Sequence, residues 1–279
     1  MRSFYQFFTF AFLQILLWCS NGAEGVTIKK RIRPNNLKVG VELDRDLFNA
    51  GAEDYLAGAP RINAKDQPRV IFMAHWRVNA PLTDGQLVQI AMDGYMDMLE
   101  GVKPENYGNQ IGTSKKALPG VITVFHWDNE IIIASSQSKG LPLTYTRNQH
   151  ILELVQQCIH PNLEKSAQAK CGEMSAAQLF VHLYPTTNIA TKAIVSVTVQ
   201  GDENNPTATT METLIRNGIK APCSHPAGNG CDRIIGAGKV IRREVPVGTA
   251  PAPYSKSGWV QSDTPQISYV LPSAQVVHV

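Results

Sequence analysis

Two β-branched runs held two residues apart constrain this chain more than any other feature. "GVITVFHW", Gly120 to Trp127, and "EIIIASS", Glu130 to Ser136, flank the pair Asp128-Asn129. Valine, isoleucine and threonine suit a pleated strand, and an Asp-Asn pair suits a tight turn, so the spacing predicts a β-hairpin.

Helices are predicted on both sides of it. In "PLTDGQLVQIAMDGYMDMLEGV", Thr83 or Asp84 caps a helix whose Leu87, Ile90, Ala91, Tyr95 and Met98 share one face. "NQHILELVQQCI", Asn148 to Ile159, reads as a second helix ended by Pro161, and "GEMSAAQLFVHLY", Gly172 to Tyr184, as a third ended by Pro185. Strands are expected in "RVIFMAHW", Arg69 to Trp76, and in "KAIVSVTVQ", Lys192 to Gln200. "METLIRNG", Met211 to Gly218, suits a short helix closed by its glycine. "CDRIIGAGKVIRRE" fits a helix or a short strand, and "QISYVLPSAQVVHV" adds a candidate last strand. Strands and helices alternate through one continuous unit, which predicts an α/β sandwich.

The first 23 residues read as a signal peptide. Arg2 precedes an apolar run from Phe7 to Trp18, broken only by Thr9 and Gln14, and Ser20, Gly22 and Ala23 offer a cleavage point. The run is shorter than the roughly 20 residues needed to span a bilayer. A secreted, extracellular chain is expected, with an irregular N-terminal extension over residues 24–80 and one domain over 81–279. Its oligomeric state is left open. Formal net charge is +3 without a dense basic block, which excludes a strong non-specific grip on nucleic-acid phosphates.

Losing the signal removes Cys19 and leaves Cys158, Cys171, Cys223 and Cys231. Four cysteines in an oxidising compartment fit two disulfides, for example Cys158 with Cys171 and Cys223 with Cys231, in a non-catalytic interaction module. The same residues fit a metal site. "KCGEMSAAQLF" sets Cys171 two residues before Glu173 at a helix start, and "APCSHPAGNGC" supplies Cys223 and Cys231. A helix N-terminus favours thiolate over thiol. A carboxylate two residues after a ligand is suited to moving protons beside a metal-activated water. His/Cys-x-Glu followed by Pro-Cys-x-x-Cys is the sequence form of a zinc deaminase site.

On these residues the chain resembles cytidine-deaminase-fold enzymes. "CGEMSA", preceded by "VITVFHWDNEIIIASSQSKG", is most similar to the YwqJ-like secreted and toxin deaminases, over roughly residues 85 to 240. In that family a hairpin and a helix lead into a Cys-x-Glu helix, and a Pro-Cys element follows. The resemblance implies a three-layer α/β/α sandwich of cytidine-deaminase type. It also implies Zn²⁺ held by Cys171, Cys223 and Cys231, with Glu173 as the proton shuttle. His126, on the hairpin, is implied as a substrate contact. The implied reaction is hydrolytic loss of the exocyclic amine of a nucleobase, nucleoside or single-stranded nucleic acid, in a toxin or effector. The chain departs from the family pattern twice. Seven residues, "SHPAGNG", separate Cys223 from Cys231 where the family has two, so His225 is an alternative to Cys231 as ligand. Another 21 residues separate Gln200 from Pro222, which requires an insertion.

Overall fold

The computed structural model describes residues 34–49, 69–111, 117–138, 154, 170–202, 204–223, 230–236 and 239–262. The segment expected to be a signal peptide, most of the helix expected over 148–159, and the expected C-terminal strand lie outside the described residues.

The predicted hairpin is the centre of the molecule. β3 (Val121–Trp127) and β4 (Glu130–Ser135) pair antiparallel from Ile122↔Ser135 to Trp127↔Glu130. Asp128 takes φ = +47°, the left-handed conformation that short Asx side chains tolerate in such turns. β5 (Ile194–Gln200) lies antiparallel on the other side of β3, and β6 (Ile241–Glu244) runs parallel to β5. β2 (Phe72–Arg77) pairs with β4 and carries β1 (Glu42–Leu43) and β7 (Val260–Gln261) at its two ends. The sheet is therefore mixed, in the order β1-β2-β4-β3-β5-β6, with β7 also on β2. Its pairing runs across residue 80: β2 comes from the segment read as an irregular extension, yet it is an inner strand.

Strand alternation divides the core into two. On one face Phe72, Ala74, Ile122, Val124, Ile131 and Ile133 pack beneath α1 (Asp84–Gly101), through Leu87, Ile90, Ala91, Tyr95 and Met98. Thr83 and Gln86 close a reciprocal capping box at the start of α1. On the other face Met73, Phe125, Trp127, Ile132 and Ala134 pack beneath α2 (Gly172–Leu183), through Met174, Ala177 and Phe180. The buried Leu154 belongs to this second cluster. The fold is thus mixed α/β, with a helix on each face of the sheet.

The insertion after β5 has a definite course. A 3₁₀ turn, Pro206–Ala208, leads to α3 (Met211–Asn217), which Thr210 caps. Gly218 ends α3 with φ = +65°, a conformation glycine adopts without a Cβ penalty. The chain then returns along β5: Ile219 bridges Val199 antiparallel, and the Lys220 N–H donates to the Thr198 carbonyl at 2.8 Å. "CDRIIGAGKVIRRE" is neither all helix nor all strand. It forms a 3₁₀ turn at Cys231–Ile234 and then β6.

Candidate metal centre

The centre is built at the N-terminus of α2. Cys171 is the N-cap, with extended backbone (φ −69°, ψ 157°) and a side chain that makes no capping hydrogen bond, so the sulfur is left for other contacts. Its carbonyl accepts from Met174 and Ser175. Gly172 is pressed against the sheet: a Cβ there would overlap Oγ1 of Thr123 and stand 2.9 Å from its Cβ. Only glycine permits this approach, which seats the first turn of α2 directly on β3 and β4.

Glu173 follows in that first turn, 3% exposed. Thr198 on β5 donates to its Oε1 at 2.9 Å, and Thr198 is in turn 2.7 Å from Thr123 Oγ1. Burial pushes the Glu173 carboxyl above the usual carboxylate range, against the opposing pull of its own backbone N–H and of Thr198.

The return along β5 delivers Cys223, and the 3₁₀ turn delivers the fully buried Cys231. The Sγ atoms of Cys171, Cys223 and Cys231 all lie within 4.8 Å of one another, a group that is able to hold a metal ion. The Cys231 N–H points at Cys223 Sγ at 3.4 Å, and the Asp232 N–H donates to the Cys223 carbonyl at 3.3 Å. Burial raises the Cys223 thiol pKa, the Cys231 N–H lowers it, and the charges of Glu173 and Asp232 raise it further.

The sulfurs of Cys171 and Cys231 are joined, and Cys223 is a free thiol. The Cα atoms of the joined pair stand 7.6 Å apart, wider than the roughly 4.4–6.8 Å that disulfides span. Two thiolates on one tetrahedral zinc lie about 3.8 Å apart, given bonds of about 2.3 Å. Once the Cys171–Cys231 bond is reduced, the three cysteines, whose sulfurs all lie within 4.8 Å, would supply the all-thiolate donor set that suits a borderline-soft ion. Pairing of Cys171 with Cys231 differs from the Cys158–Cys171 and Cys223–Cys231 arrangement expected of two disulfides. Cys158 and His225 lie outside the described residues.

His126 is not brought to the cysteines. It shares strand parity with Ile122 and Val124, on the α1 face, whereas Thr123 lies on the α2 face with Phe125 and Trp127. Its buried Nε2 has no partner among the described residues, and burial, then Arg243, lower its pKa.

Two polar features were not anticipated from sequence. Glu244 on β6 sits opposite Ser196 in the β5 register, and its carboxyl is pushed up to about 7 by burial and then by the charge of Glu173. Ser196 Oγ is buried without a partner among the described residues. The second feature is a row across β2 and β4 that ends on Ser262, just after β7. His75 Nδ1 meets Ser262 Oγ at 2.6 Å, His75 Nε2 meets Glu130 Oε2 at 2.6 Å, and Arg77 donates to Glu130 Oε1 at 3.0 Å. Burial lowers the His75 pKa in spite of Glu130. Beside this row is a cavity of about 250 Å³ lined by Trp127, Glu130, Phe180, Tyr184 and Lys192 among others. It adjoins the C-terminal end of α2, about 18 Å along the helix from Cys171.

No family model, no curated protein and no solved structure matches the chain.

Proposed function

We propose that the chain is a secreted, zinc-dependent hydrolytic deaminase with a cytidine-deaminase-type sandwich. One observation carries the reading: three cysteine sulfurs converge within 4.8 Å at the start of the helix that buries Glu173 in its first turn. The order of elements also supports it. A hairpin, a Cys-Gly-Glu helix, a strand and a Pro-Cys element succeed one another, in the sequence the YwqJ-like resemblance implies; the helix expected between the hairpin and the Cys-Gly-Glu helix lies mostly outside the described residues.

Cys171, Cys223 and Cys231 would hold the ion. When bound, zinc supplies Lewis-acid activation of water near neutral pH. Glu173 takes a proton from the attacking water and passes it to the ring nitrogen of the substrate. A second proton transferred to the exocyclic nitrogen lets it leave as ammonia. In sum, one water is consumed, a C–N bond breaks, and a C=O bond replaces it. The elevated pKa of Glu173 suits a group that must both accept and return protons. Substrates are a nucleobase, a nucleoside or single-stranded nucleic acid, and a toxin or effector role follows from the resemblance alone.

A non-catalytic, disulfide-stapled interaction module is the second reading, favoured by the Cys171–Cys231 bond. Metal analysis combined with thiol titration of the denatured chain separates the two. The deaminase reading expects about one zinc per chain, all cysteines reactive, and ammonia released from at least one member of a panel of bases, nucleosides and single strands. Glu173→Gln is expected to abolish release while retaining zinc. A metal-free chain with two fewer thiols than cysteines overturns this reading in favour of the second.

A further inference from the structure

We propose that Thr198, backed by Thr123, is the positioning residue that fixes the Glu173 carboxylate for proton transfer. The proposal rests on the deaminase reading for the role of Glu173, and on geometry for its own part.

Thr198 has one hydroxyl hydrogen, and it points at Glu173 Oε1 at 2.9 Å. Thr123 Oγ1 lies 2.7 Å from the same hydroxyl. With Glu173 ionised and the hydrogen of Thr198 committed to it, Thr123 donates to Thr198. The order Thr123 to Thr198 to Glu173 is therefore set by hydrogen counting.

The chain is sealed. Thr123 is 0% exposed, Thr198 4% and Glu173 3%. Bulk water therefore competes poorly with Thr198 for Oε1, and a buried carboxylate oxygen is costly to leave unmet. The two threonines are also rigidly held. They are directly opposed in the β3–β5 register, on inner strands, and β-branching restricts their χ1. Thr123 has a second task, because Gly172 packs against it so closely that no Cβ fits. One side chain thus sets both the seat of the first turn of α2 and, through Thr198, the direction of the carboxylate that this turn carries. A shuttle needs such a fix: a misplacement of about 1 Å costs on the order of 10²-fold in rate.

Valine has nearly the shape of threonine without the hydroxyl, so Thr198→Val removes the donor and spares the packing. Zinc-loaded wild type, Thr198→Val, Thr198→Ser and Thr123→Val are compared by metal content, by crystal structure, and by turnover of whichever substrate releases ammonia. In Thr198→Val, metal content is expected to be unchanged and the Glu173 carboxylate to move by more than about 1 Å. Its kcat is expected to fall roughly 10- to 100-fold, with KM within about threefold. Thr198→Ser keeps the donor and recovers kcat to within about threefold. Should Thr198→Val fail to fold, Thr123→Val reads the same chain from behind, with an expected three- to tenfold loss in kcat. A Glu173 carboxylate that stays in place in Thr198→Val, or an unchanged kcat with zinc bound, overturns the proposal. In the fallback, unchanged kcat in Thr123→Val overturns it. Absence of zinc or of ammonia release in the wild type overturns the deaminase reading instead, and the carboxylate displacement still decides the positioning claim.

Discussion

The backbone N–H of Cys231 points at the sulfur of Cys223 at 3.4 Å, while the sulfur of Cys231 meets that of Cys171. One residue therefore contacts both of the other cysteines, one through its main chain and one through its side chain. The eight-residue step from Cys223 to Cys231 is long by sequence, yet the start of the 3₁₀ turn at Cys231–Ile234 lies against Cys223 through the N–H groups of Cys231 and Asp232. This contact makes Cys223 the informative position for mutation. In the proposed zinc site Cys223→Ser removes one of the three ligands, while in the stapled reading it leaves the Cys171–Cys231 bond untouched. Metal content is expected to drop well below one per chain at equal zinc exposure, and the chain to lose thermal stability when measured with zinc. A Cys223→Ser chain that melts at the wild-type temperature in the presence of zinc would favour the stapled reading, in which this thiol holds nothing.

Gly172→Ala tests how tightly α2 is seated. The added Cβ would stand 2.9 Å from Thr123 Cβ and 3.3 Å from the Ala134 carbonyl, both parts of the rigid sheet. Overpacking of this kind costs about 1–3 kcal/mol, more than the helix propensity that alanine gains over glycine. The melting temperature is expected to fall by roughly 3–10 °C. Because the helix start must lift off β3, zinc binding is expected to weaken as well. A gain in stability would mean that α2 is not pinned where the structure has it.

What was legible in the sequence divides by the range of the interactions. The hairpin, α1 and α2 each carry their own signal in one uninterrupted run, and their observed ends fall within a residue or two of those expected. "CDRIIGAGKVIRRE" does not declare itself helix or strand because its two elements have four residues each, too few to show a period. The gathering of Cys171, Cys223 and Cys231 was expected only through resemblance, and the spacing after Cys223 argued against it. Nothing local announced the Thr123–Thr198–Glu173 chain, whose members are 75 and 25 residues apart, or the Ser262–His75–Glu130 row, with separations of 187 and 55. His126 is a different case. Strand alternation alone assigns it to the face opposite Phe125 and Trp127, and the missing information was which face α2 would cover.

Glu244 predicts a pH dependence of stability. Its carboxyl is raised from 4.5 to about 7 in the folded chain, by burial and by the nearby charge of Glu173. The folded state thus binds this proton more tightly than the unfolded state, and stability from this group is present below about pH 4.5 and lost as pH rises toward 7. Glu244→Gln keeps the shape and cannot ionise. The variant is expected to match the wild type near pH 4.5 and to exceed it in melting temperature at pH 8, where the wild type carries a half-buried charge beside Glu173. Equal melting temperatures of the two proteins at pH 8 would show that Glu244 ionises freely in the fold.

Asp97 ties the segment before β1 to α1. Its carboxylate accepts the backbone N–H groups of Lys38 at 2.7 Å, Val39 at 2.7 Å and Val41 at 3.4 Å, and Lys38 Nζ reaches Asp93, one turn earlier on α1, at 2.8 Å. Asp97 is 3% exposed, and burial raises its carboxyl to about 6 although the N–H groups of residues 38–41 pull the other way. It is thus an internal anchor and not a surface acid. Asp97→Ala strands buried N–H groups that no other side chain replaces, at a cost of about 2–4 kcal/mol. For a chain of this size that is a fall in melting temperature of roughly 5–15 °C. Asp97→Asn retains one acceptor oxygen and is expected to lose less. Amide hydrogen exchange supplies the local readout: protection at residues 38–41 should collapse in Asp97→Ala while β3 and β5 stay protected. Unchanged exchange over 38–41 would mean that these N–H groups are held by something other than Asp97.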